Sequence, residues 1–446
     1  MKRRHWLLSG WLLSGWFALA MTAGPVSERL GQAENWPQWR GPRGNGTSTE
    51  TGLPTTWDKE ANVVWRLPLP GPAGSTPVIW GDRIFLTSVD GDDIVLLCVT
   101  RSGKVAWRRK LSGGGRQRYR GDEGNNASPS PCTDGKHVWA CTANGHLVCY
   151  TVEGKEVWHV DLQKRYGPYD IQFGMSSTPL LHEGRLYLQI IHGDMRSWEP
   201  SKNSWVASID GATGKELWKQ PRNTNAAQEN KHSYASPVLY DDGKRTFFLS
   251  HGGDYVMAHS LEDGHELWRC GGLNGAGRLY NPFLRFVASP GTGSGLIVVP
   301  SAKNGPVLCL KPDGKGDRTE DQSSYFWRLE RGTPDVPSPL IHEGLVYLLR
   351  ENGNLSCLDG RTGKAHYVQQ RTERDRHRAS PVYADGKIFC IAGKRGVVTV
   401  VQAGPKFKVL AKNKMGESIA ASPAISGGRI YLRTFEALYA IAEDSR

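Results

Sequence analysis

RASPVYADGKIFCIAGKRG, Arg378 to Gly396, is the stretch on which the reading of this 446-residue chain turns. Ser-Pro opens it, a short apolar run follows, then Asp-Gly, then a second apolar run. The same order returns as ASPAISGGRIYLR from Ala421, STPLLHEGRLYL from Ser177 and STPVIWGDRIFL from Ser75. With Ser/Thr-Pro as the marker, the pattern occurs eight times, at Pro77, Pro131, Pro179, Pro237, Pro290, Pro339, Pro381 and Pro423. The mean spacing is (423−77)/7, about 49 residues, which is the length of one supersecondary unit and not of a domain.

Each unit reads as four short strands. The first begins at the Pro, and a Gly turn leads to a second that is almost wholly apolar, as in RIFLT at Arg83 and RIYLR at Arg429. Continuous apolarity requires burial on both faces. A third strand follows, then another Gly turn, then a fourth strand carrying an aromatic residue. SIDGATGKELW, Ser208 to Trp218, displays this last turn most clearly, and Trp107, Trp158, Trp268, Trp327 and Tyr367 stand at equivalent places. Proline lacks a ladder donor and belongs at a strand start or an edge. The innermost strand of a propeller blade is such an edge. The expected fold is therefore all-β, an eight-bladed β-propeller of four-stranded antiparallel blades. The eighth unit lacks a fourth strand, whereas NVVWRLPL, Asn62 to Leu69 with Trp65, is a strand without a unit. Pairing the two closes the ring and removes both exposed edges.

The first residues stand apart. Lys2, Arg3 and Arg4 precede the short apolar run Trp6 to Met21, the arrangement of a secretory signal. The expected organisation is a signal peptide over 1–23, a leader over 24–61 and the propeller over 62–446. The chain is then exported, to the periplasm or the extracellular space, with no transmembrane span after signal removal. The formal charge of +12 becomes +9 without the three basic residues of the signal. Such an excess attracts anionic surfaces or polymers, while export argues against nucleic acid.

The docking turn SIDGATGKELW and the Ser-Pro strands resemble the pyrroloquinoline-quinone-like repeat proteins over about Asn62 to Ala442. That family includes quinone-dependent alcohol dehydrogenases and the non-catalytic outer-membrane assembly lipoprotein BamB. The leader NWPQWRGPRGNGTSTETGLPTTW, Asn35 to Trp57, is similar to the start of many exported members. The resemblance implies either a binding propeller or a dehydrogenase using pyrroloquinoline quinone (PQQ) and Ca2+. Two features depart from the pattern. No two Cys are adjacent here, unlike in the dehydrogenases, and no Cys follows the apolar run to carry a lipid.

Side-chain patterns point to little chemistry. Cys98, Cys149, Cys309 and Cys357 occupy the third strands of four different blades, so they are expected to be free, small apolar residues packed between blades. The disulfide state of Cys132, Cys141, Cys270 and Cys390 stays open. The His residues form no zinc motif, SGGGRQ at Ser112 lacks the Lys of a phosphate loop, and no G-x-S-x-G elbow occurs. No catalytic, cofactor or metal residue is assigned, and no cofactor is expected. The long loops entering successive blades are the natural carriers of binding. Arg116, Arg118 and Arg120 before blade two, Arg371, Arg374, Arg376 and Arg378 before blade seven, and Lys412 and Lys414 before blade eight would form a basic arc on one face. Asn126, His232, Asp335, His377 and Glu417 each precede a Ser/Thr-Pro and are candidates for the channel mouth. Trp65, Trp107, Trp158, Trp218, Trp268, Trp327 and Tyr367 are expected to dock blades. The expected function is a non-catalytic scaffold for an envelope protein or anionic polymer. The alternatives are a PQQ- and Ca2+-dependent alcohol or sugar dehydrogenase and a polysaccharide-binding module.

Overall fold

A computed structural model describes residues 33–119 and 124–443, and the signal-like segment and Arg120 lie outside them. Within these residues the chain forms eight antiparallel sheets arranged in sequence order. Blade one is typical, with strands Val78–Trp80, Arg83–Asp90, Asp93–Thr100 and Val105–Gly113. The second and third strands are buried along almost their whole length, whereas the fourth alternates toward solvent. The apolar reading of the second strands follows from this, because each sheet is covered on both faces by its neighbours. The only α-helix among the described residues is Leu162–Tyr166, capped by the Asp161 side chain.

Ring closure is made as the sequence leads one to expect. Val63–Pro68 pairs antiparallel with Ala437–Ile441, Trp65 opposite Ala440 and Leu67 opposite Leu438. The order of the last blade is therefore first, second and third strands from the C-terminal end and the fourth from the N-terminal side. Blade four differs from four strands. A two-residue strand, Gly316–Asp317, adds in parallel to its outer edge at Glu266–Cys270. It comes from the long third-to-fourth connection of blade five, which shields that edge.

Between blades the packing repeats one device. The indole N–H of Trp107 donates to Val152 O at 2.9 Å, that of Trp158 to Gly211 O at 2.8 Å and that of Trp327 to Gly360 O at 2.8 Å. Trp65 reaches Arg101 O at 2.7 Å and Trp218 reaches Leu261 O at 3.3 Å. Each ring lies over the turn glycine of the next blade. A Cβ on Gly214, at φ +70°, would stand 2.7 Å from the Trp158 ring. The glycine is required twice, for its left-handed backbone and for the close approach of the indole. Trp268 instead takes the Arg318 guanidinium at 4.8 Å, since blade five has the long connection in place of the short turn. Tyr367 packs edge-on against Phe407.

All eight cysteines are free and buried. Cys98, Cys149, Cys309 and Cys357 sit in four separate inter-blade cores, beside Phe85, Trp139, Trp327 and Tyr347 respectively. Burial pushes the Cys98 thiol up to about 11 and those of Cys149 and Cys357 up to about 12, which keeps them protonated and unreactive.

The leader crosses the face that carries the first-to-second hairpins, called the lower face here. Trp36 and Ile79 exchange backbone hydrogen bonds at 2.8 and 2.7 Å, and Thr133 N donates to Pro37 O at 2.8 Å. Arg40 is 4% exposed and donates to Pro339 O at 2.8 Å and Pro381 O at 3.3 Å. Leu53 N is held by Asp385 and Trp57 N by Asn413. With Leu181 N held by Gln38 and Ser426 Oγ by Glu34 O, the one segment ties together blades one, two, three, six, seven and eight.

Candidate functional site

The Ser/Thr of each marker pair has a job that spacing alone does not reveal. Thr76 N donates to Ser130 Oγ at 2.9 Å, Ser130 N to Thr178 Oγ1 at 3.1 Å and Thr178 N to Ser236 Oγ at 2.9 Å. The relay continues from Ser236 to Ser289, Ser338, Ser380 and Ser422 at 2.9–3.0 Å. Seven hydroxyls therefore satisfy seven inner-strand N–H groups that no ladder reaches. The following Pro removes the next donor, so at these seven positions the inner edge is satisfied without a ladder. The relay is not carried from Ser422 to Thr76, where the first and last blades meet, among the described residues. The ring is closed instead within blade eight, whose fourth strand, Val63–Pro68, pairs with its third, Ala437–Ile441.

Above this ring opens a funnel of about 240 Å³. Its floor is the hydroxyl ring with Trp39, which the leader inserts from below. Its walls carry Tyr119, Phe173, Tyr234, Arg285 and Arg378. Phe173 and Tyr234 lie 5.9 Å apart by ring centre, and the Arg285 guanidinium stands 5.7 Å over Phe173. Tyr119 donates to Asn126 Oδ1 at 2.6 Å, and its ring fills the space where Gly174 has no Cβ. Arg378 is paired with Glu351 at 3.2 Å.

The other candidates fall into distinct roles. Asn126 is fully buried, with its amide donating to Gly114 O and to Gln117, and so folds its own loop. His232 is buried with Nε2 2.9 Å from Gly193 O, and His377 is buried with its ring nitrogens at Thr372 and Asp375 O. Burial lowers the pKa of both, so they are neutral loop anchors. Glu417 is a clasp on the closing strand. It accepts from Tyr439 at 2.7 Å, from Thr434 at 2.5 Å and from Arg66 at 3.2 Å. Burial pushes its carboxyl up, but these hydrogen bonds outweigh it and the pKa is lowered. None of these four lines the funnel.

The arginines are dispersed differently from a continuous arc. Arg116 pairs with Asp92 at 2.9 Å, and Arg118 turns back onto Gly115 O and Gln117 O of its own loop. Arg374 and Arg376 instead line a cleft of about 630 Å³ over blades five to seven, with Lys303, Arg350, Arg371 and Asp335. Asp335 accepts from Lys303 N at 3.0 Å. Lys303 and Arg350 come from second-to-third hairpins, which the sequence presents only as turns. A count of basic residues in those turns was the one signal that could have found them.

A Ca2+-held quinone needs a flat-walled pocket with convergent oxygen ligands. The funnel's aromatic walls and two arginines suit a flat anion. Yet the described residues lining it include no carboxylate, imidazole or thiol. The described residues as a whole contain no group of three or more His, Cys, Asp or Glu placed to hold a metal ion. A Ca2+ site needs several convergent oxygen ligands, usually with carboxylates among them, so these residues do not fit the group.

A family profile described as outer membrane protein assembly factor BamB matches residues 91–271 and 202–445. The structure is similar to BamB from Moraxella catarrhalis (TM-score 0.58, 12% identity, 86% of this chain and 98% of that one). It is also similar to quinohemoprotein alcohol dehydrogenase from Comamonas testosteroni (TM-score 0.65, 12% identity, 92% and 81%). At such identities both speak to the fold alone. In sequence the chain is 26% identical over 163 residues to a polyvinylalcohol dehydrogenase of Pseudomonas sp, 35% of this chain and 24% of that protein. The chain thus spans about a quarter of the length of that curated relative.

Proposed function

The chain belongs to the family of the outer membrane protein assembly factor BamB, and from that premise we propose an exported, non-catalytic binding propeller whose partner is an envelope protein or anionic envelope polymer. The observation that carries this reading is the lining of the funnel. Its floor is hydroxyls and an indole, its walls are three aromatics and two arginines, and its described residues include no carboxylate, imidazole or thiol. The lower mouth is filled by the leader, so ligands approach from the face with the long loops. That face presents guanidinium groups and irregular loops on a rigid ring, the usual arrangement of a binding surface. Export rests on the basic and apolar start of the chain. No helix among the described residues is long and apolar enough to cross a membrane.

The likeness to polyvinylalcohol dehydrogenases favours one other reading, a quinone-dependent dehydrogenase. The test is calorimetric titration of the purified protein with PQQ and Ca2+, followed by dye-linked oxidation of polyvinyl alcohol and primary alcohols. The expected result is no saturable heat and no turnover. Stoichiometric binding with turnover overturns the scaffold reading.

A further inference from the structure

Three loops on the upper face are built inside out. The first runs over 191–204 between two strands of blade three, the second over 222–235 before blade four, and the third over 271–288 before blade five. Their polar groups are turned inward. Lys231 is 3% exposed and its Nζ donates to Asp194 O at 3.0 Å and Ser197 O at 2.8 Å, pinning the first loop. Asp254, in the second-to-third turn of blade four, accepts from Tyr280 at 2.8 Å and Asn230 at 3.0 Å. Asn230 and Asn274 both donate to Asn281 O at 3.0 Å. The apolar groups of the same loops are turned outward. Leu279 is 82% exposed, Trp198 63% and Phe283 53%. Trp198 rests near Tyr280, with 6.5 Å between ring centres, and Glu229 N donates to Pro282 O at 3.1 Å, so the tips share one braced platform. Solvent alone selects the opposite arrangement. Rigid aromatic and aliphatic tips on a braced support are what a protein-binding hot spot requires, because little entropy is lost when they are covered.

The platform continues through blade five into the cationic cleft. The loop entering blade five carries Leu279 and Phe283, and the second-to-third hairpin of the same blade carries Lys303, which lines the cleft with Arg350 and Arg374. The side-chain cations of Lys303, Arg350 and Arg374 have no ion-pair or hydrogen-bond partner among the described residues. The cleft carboxylates are occupied, Asp335 by Lys303 N, Glu351 by Arg378 and Asp375 by Arg395 N. A partner that covers both regions must bring apolar side chains to one and carboxylates to the other.

We infer that the upper face over blades three to seven docks an acidic, aromatic- or aliphatic-anchored segment of another envelope protein, with its apolar anchor on Trp198, Leu279 and Phe283 and its carboxylates against Lys303, Arg350 and Arg374. The inference rests on the binding reading above and names its site and partner chemistry. A purely anionic polysaccharide uses the cleft but leaves the apolar tips bare. A lipid surface uses the tips but is not selected by carboxylates.

The test is photo-cross-linking of the full chain in its own envelope fraction, with a benzophenone side chain at position 279 or 283 and a control at exposed Leu217 on an outer strand. The cross-linked material is sequenced by mass spectrometry. The expected product from 279 and 283 is a protein segment containing Asp or Glu beside an apolar residue. Its yield falls at least five-fold in the double variant Arg350→Glu/Arg374→Glu and at least five-fold in Trp198→Ala. Trp198 and Arg374 are exposed and Arg350 is part-exposed, and both variants are expected to keep the wild-type melting temperature. Cross-links to glycan or lipid, yields unchanged in both variants, or equal yield from Leu217 each overturn the inference. A protein captured only from sites around the funnel, such as position 173, overturns this docking site and leaves the binding reading standing. Quinone turnover overturns the binding reading irrespective of the cross-links.

Discussion

Trp36→Ala isolates the contribution of the leader. Trp36 is fully buried beneath blades one and eight, in one cluster with Ile79, Ala384 and Ile425. A buried indole removes about 150–250 Å² from water, worth about 4–6 kcal/mol at 25 cal/mol per Å². Measured truncations of buried Trp and Phe cost about 3–5 kcal/mol, so about 4 kcal/mol is the working value. No side-chain hydrogen bond is lost, since the indole N–H has no partner. The backbone bonds to Ile79 are available to either side chain. An unfolding entropy of about 2.1 cal/mol/K per residue over about 400 residues gives about 0.85 kcal/mol per degree, hence a fall in Tm of about 5 °C. The assay is differential scanning calorimetry with limited trypsin digestion, because Arg40 and Arg43 lie in the leader and Arg40 is shielded in the folded protein. Cutting at Arg40 should rise in proportion to the release of the leader. A Tm within 1 °C of wild type, together with an unchanged cutting rate, refutes the claim that the leader is part of the folded ring.

Two further substitutions probe the blades themselves. Gly214→Ala should cost about 2–4 kcal/mol in chemical denaturation, from the left-handed backbone plus the clash with Trp158, whereas Gly184→Ala should cost only the backbone part of about 1–2 kcal/mol. Gly184 has φ +73° with no atom near its missing Cβ, so equal losses at the two sites would contradict the docking role of the indole. Asp254 supplies a pH test: burial raises its pKa from 3.8 to about 6 against opposing hydrogen bonds from Tyr280, Asn274 and Asn230 and the nearby Arg222 charge. The folded state then holds a proton that the unfolded state has released between pH 4 and 6, so this group's stabilisation is present below that window and is lost as pH rises through about 6. Asp254→Asn should therefore cost about 2 kcal/mol more at pH 4.5 than at pH 7 relative to wild type, and a pH-independent difference would show that Asp254 is ionised throughout.

The number of blades, their strand order and their closure were legible along the chain, because each rests on a local regularity. A 49-residue recurrence, a Pro that only an edge strand tolerates and a Gly turn followed by an aromatic are all short-range statements. Closure followed from counting, since one strand was missing at one end and one was spare at the other. The roles of single polar residues were not legible, because they depend on partners far away in sequence. Asn126, His232 and His377 look like loop polarity until the structure turns them inward, and Glu417 looks like a rim acid until the N-terminal strand brings Arg66 against it. The leader reads in sequence only as a segment before the first blade, yet Arg40 reaches Pro339 and Pro381 across some 300 residues of chain. The marker serines were visible as spacing, but only the circular arrangement gives each hydroxyl the N–H of the preceding blade to accept. The cations of the cleft come from separate loops and hairpins, and they become one surface only where the ring sets blades five, six and seven side by side.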